Sequence, residues 1–225
     1  MGKGLDYLMY RPTYKFESWL DVWKGLPCLI LGRGKSTFDI PLADIDAFKE
    51  KGGKVIVVTE LGRLEEYHNR ADAWVFADVL TWVKCRKSMR EYPGILWTTL
   101  SCYRCLGSRD PGPVSWVEAA QSFNFCPETP VRFGLGYTSS FLAAQLAWYA
   151  GADPIYFGGV DLRLLPDGRT HGDKDKPQCE SWAVEIMYEN QTKSFDSMAE
   201  FLKDAPRRVY KTSDWSLLPF KTKMI

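Results

Sequence analysis

The sequence has little of what marks membrane or secreted proteins. It contains no run of about 18 apolar residues, so we expect no transmembrane helix. Its first residues, MGKGLDYLMYRPTYKF, lack the apolar stretch of a signal peptide. Six cysteines among 225 residues, without a secretion signal, are typical of reduced thiols in the cytosol. We therefore expect a cytoplasmic protein.

The net charge of the chain is also small. A value of +1 at neutral pH excludes the global basic field that drives strong non-specific binding to nucleic acid. Residues 82–109 nevertheless form a basic stretch with interleaved aromatic side chains. Two interpretations of this stretch remain open, a surface for a polyanion and a solvated basic face. Nucleic acid therefore stays among the candidate partners.

A second C-x-x-C pair, which most four-thiolate metal sites contain, is missing. Cys102 and Cys105 form one C-x-x-C pair, while Cys85 and Cys126 lie at a distance. A four-thiolate zinc site usually contains a second such pair. No metal ligand is therefore assigned from the sequence, and zinc at these thiols is left open.

The chain does contain short apolar runs that alternate with amphipathic helices. Runs of four to eight apolar residues bounded by glycine or polar residues are typical of buried parallel strands. They occur at 28–32, 54–60 and 72–78, and helical patterns occur at 42–51 and 191–203. This order predicts an α/β fold with a mostly parallel, Rossmann-like sheet and helices on both faces.

Length and composition predict one domain over 1–225, because 45% apolar residues are enough for a single full core. The segment at about 84–130 is rich in Pro, Gly and Ser. Such segments in α/β domains often form lids or binding loops, so an irregular insert or small lid is predicted here.

A glycine loop follows the first predicted strand. It reads Gly32-Arg33-Gly34-Lys35-Ser36, and it is too short for a P-loop, whose first glycine would fall on Leu29. A Gly-x-Gly turn can still offer backbone amides to a phosphate, and Lys35 would add a cation. A plain turn between strand and helix remains the alternative.

Polar residues end the next two predicted strands. Thr59 and Glu60 end the second strand, and Asp78 ends the third. The carboxyl ends of parallel strands face the ligand crevice of an open sheet, so these residues are candidates for binding. Asp78 is equally well placed to cap the helix that follows it.

The most informative stretch is TSSFLAAQLAWYAGADPIYFGGVD, from Thr138 to Asp161. It predicts a turn with Ser139 and Ser140, a helix, and a buried strand that ends on the aspartate. The polar loop after it carries His171 and Asp173 and is aimed at the same crevice. These two residues are the candidate catalytic pair, unless the loop is a flexible surface loop with a bystander histidine.

The order of these pieces resembles the bacterial lipooligosaccharide sialyltransferases and their relatives. The relatives include flagellin-modifying motility accessory factors, archaeal pterin pyrophosphokinases and small phage proteins with an H-G-D pattern. The glycine loop, the segment 138–161 and the later EFL, VY and SLLPF segments carry the resemblance. It covers most of the chain outside about 84–130 and the N-terminal residues, and for a phage member it implies the host cytoplasm.

The resemblance implies a modified GT-A fold that binds a nucleotide-sugar donor of the CMP or UDP type. The letters D-K-D at 173–175 match a D-x-D motif but lie on the wrong loop for it, so a metal clamp on a diphosphate is not expected, and metal dependence is left open. The base histidine of the sialyltransferases falls near Asn190 or Gln191, so His171 with Asp173 would replace it. The candidate donor residues are Gly32, Gly34, Lys35, Ser36, Thr59, Glu60, Asp78, Thr138, Ser139, Ser140 and Asp161.

Three functions remain open at this stage. The leading one is a glycosyltransferase that moves a sugar from a nucleotide-sugar to a glycan, a protein or a modified DNA base. The second is a pyrophosphokinase, which would use magnesium and ATP with carboxylates at the crevice. The third is an accessory protein of a phage that kept the fold without the chemistry. The sequence leaves open whether the chain forms a homo-oligomer.

Overall fold

The computed structural model describes residues 19–106, 114–117, 119–127, 133–172 and 181–225. Within these residues, eight strands form one parallel sheet in the order β10-β9-β8-β1-β2-β3-β4-β5. The strands are β1 (Cys28–Leu31), β2 (Lys54–Val58), β3 (Ala73–Phe76), β4 (Ile95–Thr99), β5 (Val114–Val117), β8 (Ile155–Gly158), β9 (Val209–Lys211) and β10 (Lys221–Thr222). A separate pair joins β6 (Ala119–Ala120) to β7 (Phe133–Gly134).

Seven helices connect or cover these strands in the part of the chain just given. They are α1 (Lys35–Phe38), α2 (Leu42–Glu50), α3 (Glu65–His68), α4 (Val79–Glu91), α5 (Leu100–Leu106), α6 (Ser139–Tyr149) and α7 (Ser181–Phe201). A 3-10 turn over Thr59–Arg63 follows β2 directly. The predicted helix at 191–203 is therefore the second half of a helix that begins ten residues earlier.

The order of the strands reverses beside β1. From β1 the chain adds β2, β3, β4 and β5 on one side, and it then returns to place β8 on the other side. Both neighbours of β1 are parallel to it, with Leu31 opposite Val57 in β2 and Gly158 in β8. Such a reversal is the position at which open α/β sheets bind ligands, beyond the carboxyl ends of the strands.

The core lies on both faces of the sheet. Cys28 and Ile30 of β1 pack with the cluster that contains α6, whereas Leu29 and Leu31 pack with residues of α2 and α4. This alternation follows from the two-residue period of a strand. All residues of α6 are buried, so this helix is a central element of one layer. The predicted mostly parallel α/β sheet with helices on both faces is confirmed.

The prediction of an irregular insert at about 84–130 is wrong within the described residues. That segment carries the end of α4, then β4, α5 and β5, and both strands extend the main sheet in parallel. Pro93 and Gly94 are only the turn before β4, where Trp97 is fully buried. The amino-acid composition of the segment was misleading because a short buried strand contains few residues. The Pro, Gly and Ser residues of the turns around it therefore dominate the average composition.

No helix in the described part of the chain is long and apolar enough to cross a bilayer.

Candidate functional site

A cleft of about 340 Å³ lies at the carboxyl edge of the sheet. Its walls are the loops after β1, β2, β3 and β8, the start of α6 and one face of α7. Of the predicted donor residues, those that line the cleft are Gly32, Gly34, Thr59, Glu60, Asp78, Thr138, Ser139, Ser140 and Asp161. The two others, Lys35 and Ser36, do not line it.

The glycine loop closes against the end of β8. The amide of Gly32 donates to the Gly158 carbonyl at 2.8 Å, and the amide of Gly34 donates to the Gly159 carbonyl at 2.8 Å. A Cβ on Gly34 would lie 2.5 Å from Asp161 Oδ2. The two glycines are therefore required for the close approach of two loops, and their amides are already bonded to the protein.

Ser36 and Asp161 form a buried pair that ties the same two loops together. The Ser36 amide donates to Asp161 Oδ2 at 3.0 Å, and the Ser36 hydroxyl donates to Asp161 Oδ1. The Gly159 amide in turn donates to Ser36 Oγ at 2.8 Å. Because these bonds occupy its hydroxyl and its amide, Ser36 is not a ligand-binding residue of the cleft.

Within the glycine loop, the cation that lines the cleft is Arg33 rather than the predicted Lys35. Lys35 is exposed, forms an ion pair with Asp39 four residues later and lies outside the cleft. Arg33 is buried and lines the cleft. Sequence reasoning followed the similarity of Gly34-Lys35-Ser36 to a P-loop, whereas the tight turn directs the side chain between the two glycines inward.

Glu60 joins two cations at the mouth of the cleft. Arg33 Nη1 lies 2.5 Å from Glu60 Oε2, and the two side chains are only 5% and 10% exposed. Lys84 Nζ lies 3.1 Å from Glu60 Oε1 and is about half exposed. A buried carboxylate or guanidinium is tolerated only when it is paired, so Glu60 and Arg33 depend on each other. The trio carries a net positive charge.

Three residues that line the cleft have a backbone conformation that side chains rarely adopt. Thr59, Tyr137 and Leu162 have φ values of 52°, 56° and 53°. They are three of the four described non-glycine residues with positive φ. The Thr59 carbonyl accepts from Trp74 Nε1 at 2.6 Å, which holds this conformation. Strained backbone clusters at functional sites, so this distribution favours the cleft as the site of function.

The start of α6 contributes a polar wall. Thr138 is the N-cap, and its hydroxyl accepts from the Ser140 amide at 3.3 Å. Ser139 and Ser140 are buried, and neither hydroxyl forms a hydrogen bond within the described residues. The amino end of this eleven-residue helix carries partial positive charge, which favours an anion.

Asp78 caps α4, which was one of the two roles that the sequence left open for it. Its carboxylate accepts from the Thr81 amide at 2.7 Å and from the Thr81 hydroxyl at 2.6 Å. The residue also lines the cleft. Its capping role gives a sufficient reason for an aspartate at this position.

His171 lies in the cleft wall, as predicted for the polar loop after β8. The amide of the next residue, Gly172, donates to the Arg33 carbonyl at 2.8 Å and fastens this loop to the glycine loop. A Cβ on Gly172 would lie 2.6 Å from the Phe38 ring, so the approach requires glycine. Asp173, the predicted partner of His171, lies outside the described residues.

Gln191 of α7 reaches the cleft at the place where the resemblance expects a base. Its Nε2 donates to the Tyr137 carbonyl at 3.3 Å, and the side chain is buried. An amide cannot accept a proton at neutral pH, so Gln191 can orient a ligand but cannot act as a base. The resemblance places the base of the sialyltransferases near Asn190 or Gln191, and of these two residues Gln191 lines the cleft.

The cysteines do not form a site in the part of the chain that the structure describes. Cys85 and Cys102 are buried, whereas Cys126 is exposed, and the side chain of Cys105 is not described. Burial raises the pKa of Cys85 to about 12, so this thiol stays protonated. No group of three or more His, Cys, Asp or Glu side chains is placed to hold a metal ion among the described residues.

Comparisons with known proteins agree with this fold. A solved structure, the MAf glycosyltransferase from Magnetospirillum magneticum AMB-1, superimposes with a TM-score of 0.60 at 15% identity. The chain has a glycosyltransferase-like α/β fold. The match covers 89% of this chain and 34% of the other, so the present chain spans about a third of that protein. No family model and no curated protein matches the sequence.

Proposed function

We propose that the cleft binds a nucleotide-sugar donor and that the protein transfers the sugar to an acceptor. The observation that carries this proposal is the polar wall at the start of α6. There Ser139 and Ser140 line the cleft at the amino end of a buried helix, and neither hydroxyl forms a hydrogen bond within the described residues. This combination suits the phosphate or ribose of a nucleotide of the CMP or UDP type.

The charges around the cleft suit departure of a nucleotide phosphate. Sugar transfer leaves negative charge on the phosphate as the bond to the sugar breaks, and fixed positive charge stabilises that state. Arg33 and Lys84 share one carboxylate, Glu60, so this trio retains positive charge at the mouth of the cleft. The fixed dipole of α6 acts in the same direction.

His171 is the proposed general base for the acceptor hydroxyl. Imidazole titrates near neutral pH and accepts a proton readily in that range. The loop that carries His171 is fastened to the glycine loop through Gly172, which limits its motion relative to the cleft. Asp173, two residues later in sequence, remains the proposed partner that orients the ring.

The pyrophosphokinase alternative gains no support from the carboxylates at the crevice. Glu60 is paired with Arg33 and Lys84. Asp78 caps α4, and Asp161 accepts two bonds from Ser36. Magnesium with ATP needs carboxylate oxygens that are open to the ion, and these three carboxylates already serve structural partners.

Calorimetry with CMP-, UDP-, GDP- and ADP-sugars tests the proposal. We expect one donor class to bind, and we expect the double variant Ser139→Ala/Ser140→Ala to weaken that binding about tenfold or more through two lost hydrogen bonds. Ser101→Ala is the matched control, because Ser101 is exposed on α5 outside the cleft. Equal affinity of the double variant and the wild type would refute the role of α6. Binding of ATP with magnesium alone would support the pyrophosphokinase instead.

A further inference from the structure

Arg163 is an unpaired cation in the wall of the cleft. It follows the end of β8 by five residues and lines the cleft beside the strained Leu162. Within the described residues its guanidinium forms no ion pair and no hydrogen bond, and its Nε is buried without a partner. Buried polar atoms in folded proteins are bonded in about nine cases of ten, so this donor needs an explanation.

The position of Arg163 is fixed from two sides although its charge is unpaired. Its guanidinium carbon lies 4.6 Å from the centre of the Trp215 ring, a stacking distance. Its backbone carbonyl accepts from the Tyr188 hydroxyl at 3.1 Å. A flexible surface arginine has neither restraint. The side chain is therefore held in place beside the cleft, and no anion of the described residues contacts it.

The loop that carries Trp215 is itself bonded to the end of β8. The Ser216 hydroxyl donates to the Val160 carbonyl at 2.6 Å, and the Leu217 amide donates to the Asp161 carbonyl at 3.0 Å. The aromatic platform and the arginine thus share one rigid support. Preorganised donors of this kind bind ligands without a further cost in conformational entropy.

The other two cations of the cleft differ from Arg163 in one respect. Arg33 and Lys84 both contact Glu60, so their positive charge is partly neutralised by the protein. Within the described residues, no anion neutralises the guanidinium of Arg163. Guanidinium groups bind carboxylates and phosphates through charge-assisted hydrogen bonds, often in pairs.

We propose that Arg163 is the anion-binding residue of the cleft and that it binds a phosphate or a carboxylate of the substrate. This inference deepens the proposed function and relies on it for the choice of sugar nucleotides as probes. The phosphate would belong to the nucleotide, and the carboxylate would belong to an acidic sugar. Trp215 is a positioning residue that keeps the guanidinium in the cleft.

Calorimetry with four probes tests the proposal: pyrophosphate, UDP-glucose, UDP-glucuronate and CMP-sialic acid. We expect the wild type to bind at least one of them and Arg163→Gln to weaken that binding about tenfold or more, as for a lost charge-assisted hydrogen bond. A loss for pyrophosphate and UDP-glucose assigns Arg163 to the phosphate. A loss confined to UDP-glucuronate or CMP-sialic acid assigns it to the sugar carboxylate.

Arg207→Gln is the matched control. Arg207 also stacks on a tryptophan, with its guanidinium carbon 4.6 Å from the Trp148 ring centre, but it lies outside the cleft. We expect this variant to bind every probe within about twofold of the wild type. Trp215→Leu should weaken the same probe as Arg163→Gln, whereas Trp215→Phe should retain most of the affinity because it keeps an aromatic face.

The proposal is overturned if Arg163→Gln binds all four probes as the wild type does, or if the wild type binds none of them at millimolar concentration. The folded state of Arg163→Gln is checked by its thermal midpoint, which should stay within a few degrees because the Arg163 side chain forms no hydrogen bond or ion pair within the described residues. Failure of the proposed function gives a different result. In that case the arginine still governs anion binding, but no sugar leaves the donor.

Discussion

The Ser36 hydroxyl donates a hydrogen bond to Asp161, which lies 125 residues later in the chain. Together with the bond from the Gly159 amide to Ser36 Oγ, it joins the loop after β1 to the end of β8 at the place where the strand order reverses. The base of the cleft is therefore closed by protein. The space that remains for a ligand lies between Arg33, the start of α6 and Arg163.

Replacing Ser36 tests this closure. Ser36→Ala removes a buried hydroxyl that bonds to a carboxylate, which costs about 1.5–3 kcal/mol of unfolding free energy. We expect urea denaturation to show that loss, whereas the exposed Ser101→Ala should change stability by less than about 0.5 kcal/mol. A loss below about 0.5 kcal/mol in Ser36→Ala would contradict a structural role for the pair.

Arg33 and Glu60 should be coupled in stability. Arg33→Gln removes the buried guanidinium from a buried carboxylate that also contacts the half-exposed Lys84, and we expect a loss of about 3 kcal/mol or more of unfolding free energy. The double variant Arg33→Gln/Glu60→Gln should be more stable than the sum of the single losses predicts. A double-mutant cycle in urea measures this coupling, and additive losses would argue against the buried pair.

Lys35→Gln is the matched control for the glycine loop, because Lys35 is exposed, lies outside the cleft and forms its ion pair with Asp39 one helical turn away. Its amino group also lies 6.0 Å from the centre of the Trp215 ring. The substitution should cost less than about 1 kcal/mol of stability, as exposed ion pairs do. It should also leave the affinity for any donor unchanged. A larger effect on binding from Lys35→Gln than from Arg33→Gln would reverse the assignment of the cleft cation.

Alkaline pH should lower the stability of the protein through its buried thiols. The Cys85 thiol has its pKa raised by burial to about 12, from an ordinary value of 9.0. Above pH 9 the unfolded chain loses this proton while the folded chain keeps it, so unfolding becomes easier as pH rises. One such group contributes a slope of about 1.4 kcal/mol per pH unit between these two values.

Cys85→Ala provides the comparison for the alkaline slope. It should be less stable near neutral pH because it leaves a small void, but its unfolding free energy should fall less steeply between pH 9 and 11. Urea denaturation at several pH values measures both slopes. Parallel slopes for the variant and the wild type would contradict the protonated, buried thiol.

His171→Asn should lower the rate of sugar transfer about 100-fold or more without weakening the binding of the donor, as loss of a general base does. The control is His68→Asn, because His68 lies outside the cleft, with its Nδ1 3.0 Å from the Gly62 carbonyl oxygen. Initial rates at saturating donor separate turnover from binding. Full turnover in His171→Asn would rule out this histidine as the base.

The positions of the central strands along the chain could be predicted from the sequence because their signals are local. The runs that became β1, β2 and β3 are apolar except for Lys54 at the start of β2, and glycine or polar residues follow them, as is typical of buried parallel strands. The sequence of α6, SSFLAAQLAWY, is equally distinctive because it is largely apolar, and every residue of the helix is buried. Strand β4 and the edge strand β5 were missed because they lie among turn residues whose composition suggested an insert.

The positions of the site residues could be predicted better than their roles. Most predicted donor residues do line the cleft, because the ends of parallel strands meet at one edge. Their partners could not be predicted, since the Ser36–Asp161 and Arg33–Glu60 pairs join loops that are distant in sequence. The exchange of Lys35 for Arg33 depends on the direction of one tight turn, which no sequence pattern here defines.

Release of nucleotide from a sugar donor tests the central claim most directly. The wild-type protein is incubated with CMP- and UDP-sugars, and free CMP or UDP is measured by chromatography, since water can serve as a poor acceptor. We expect slow release from one donor class, reduced about tenfold or more in Ser139→Ala/Ser140→Ala and unchanged in Ser101→Ala. Neither binding nor release with any donor would contradict the claim that this cleft is a nucleotide-sugar site.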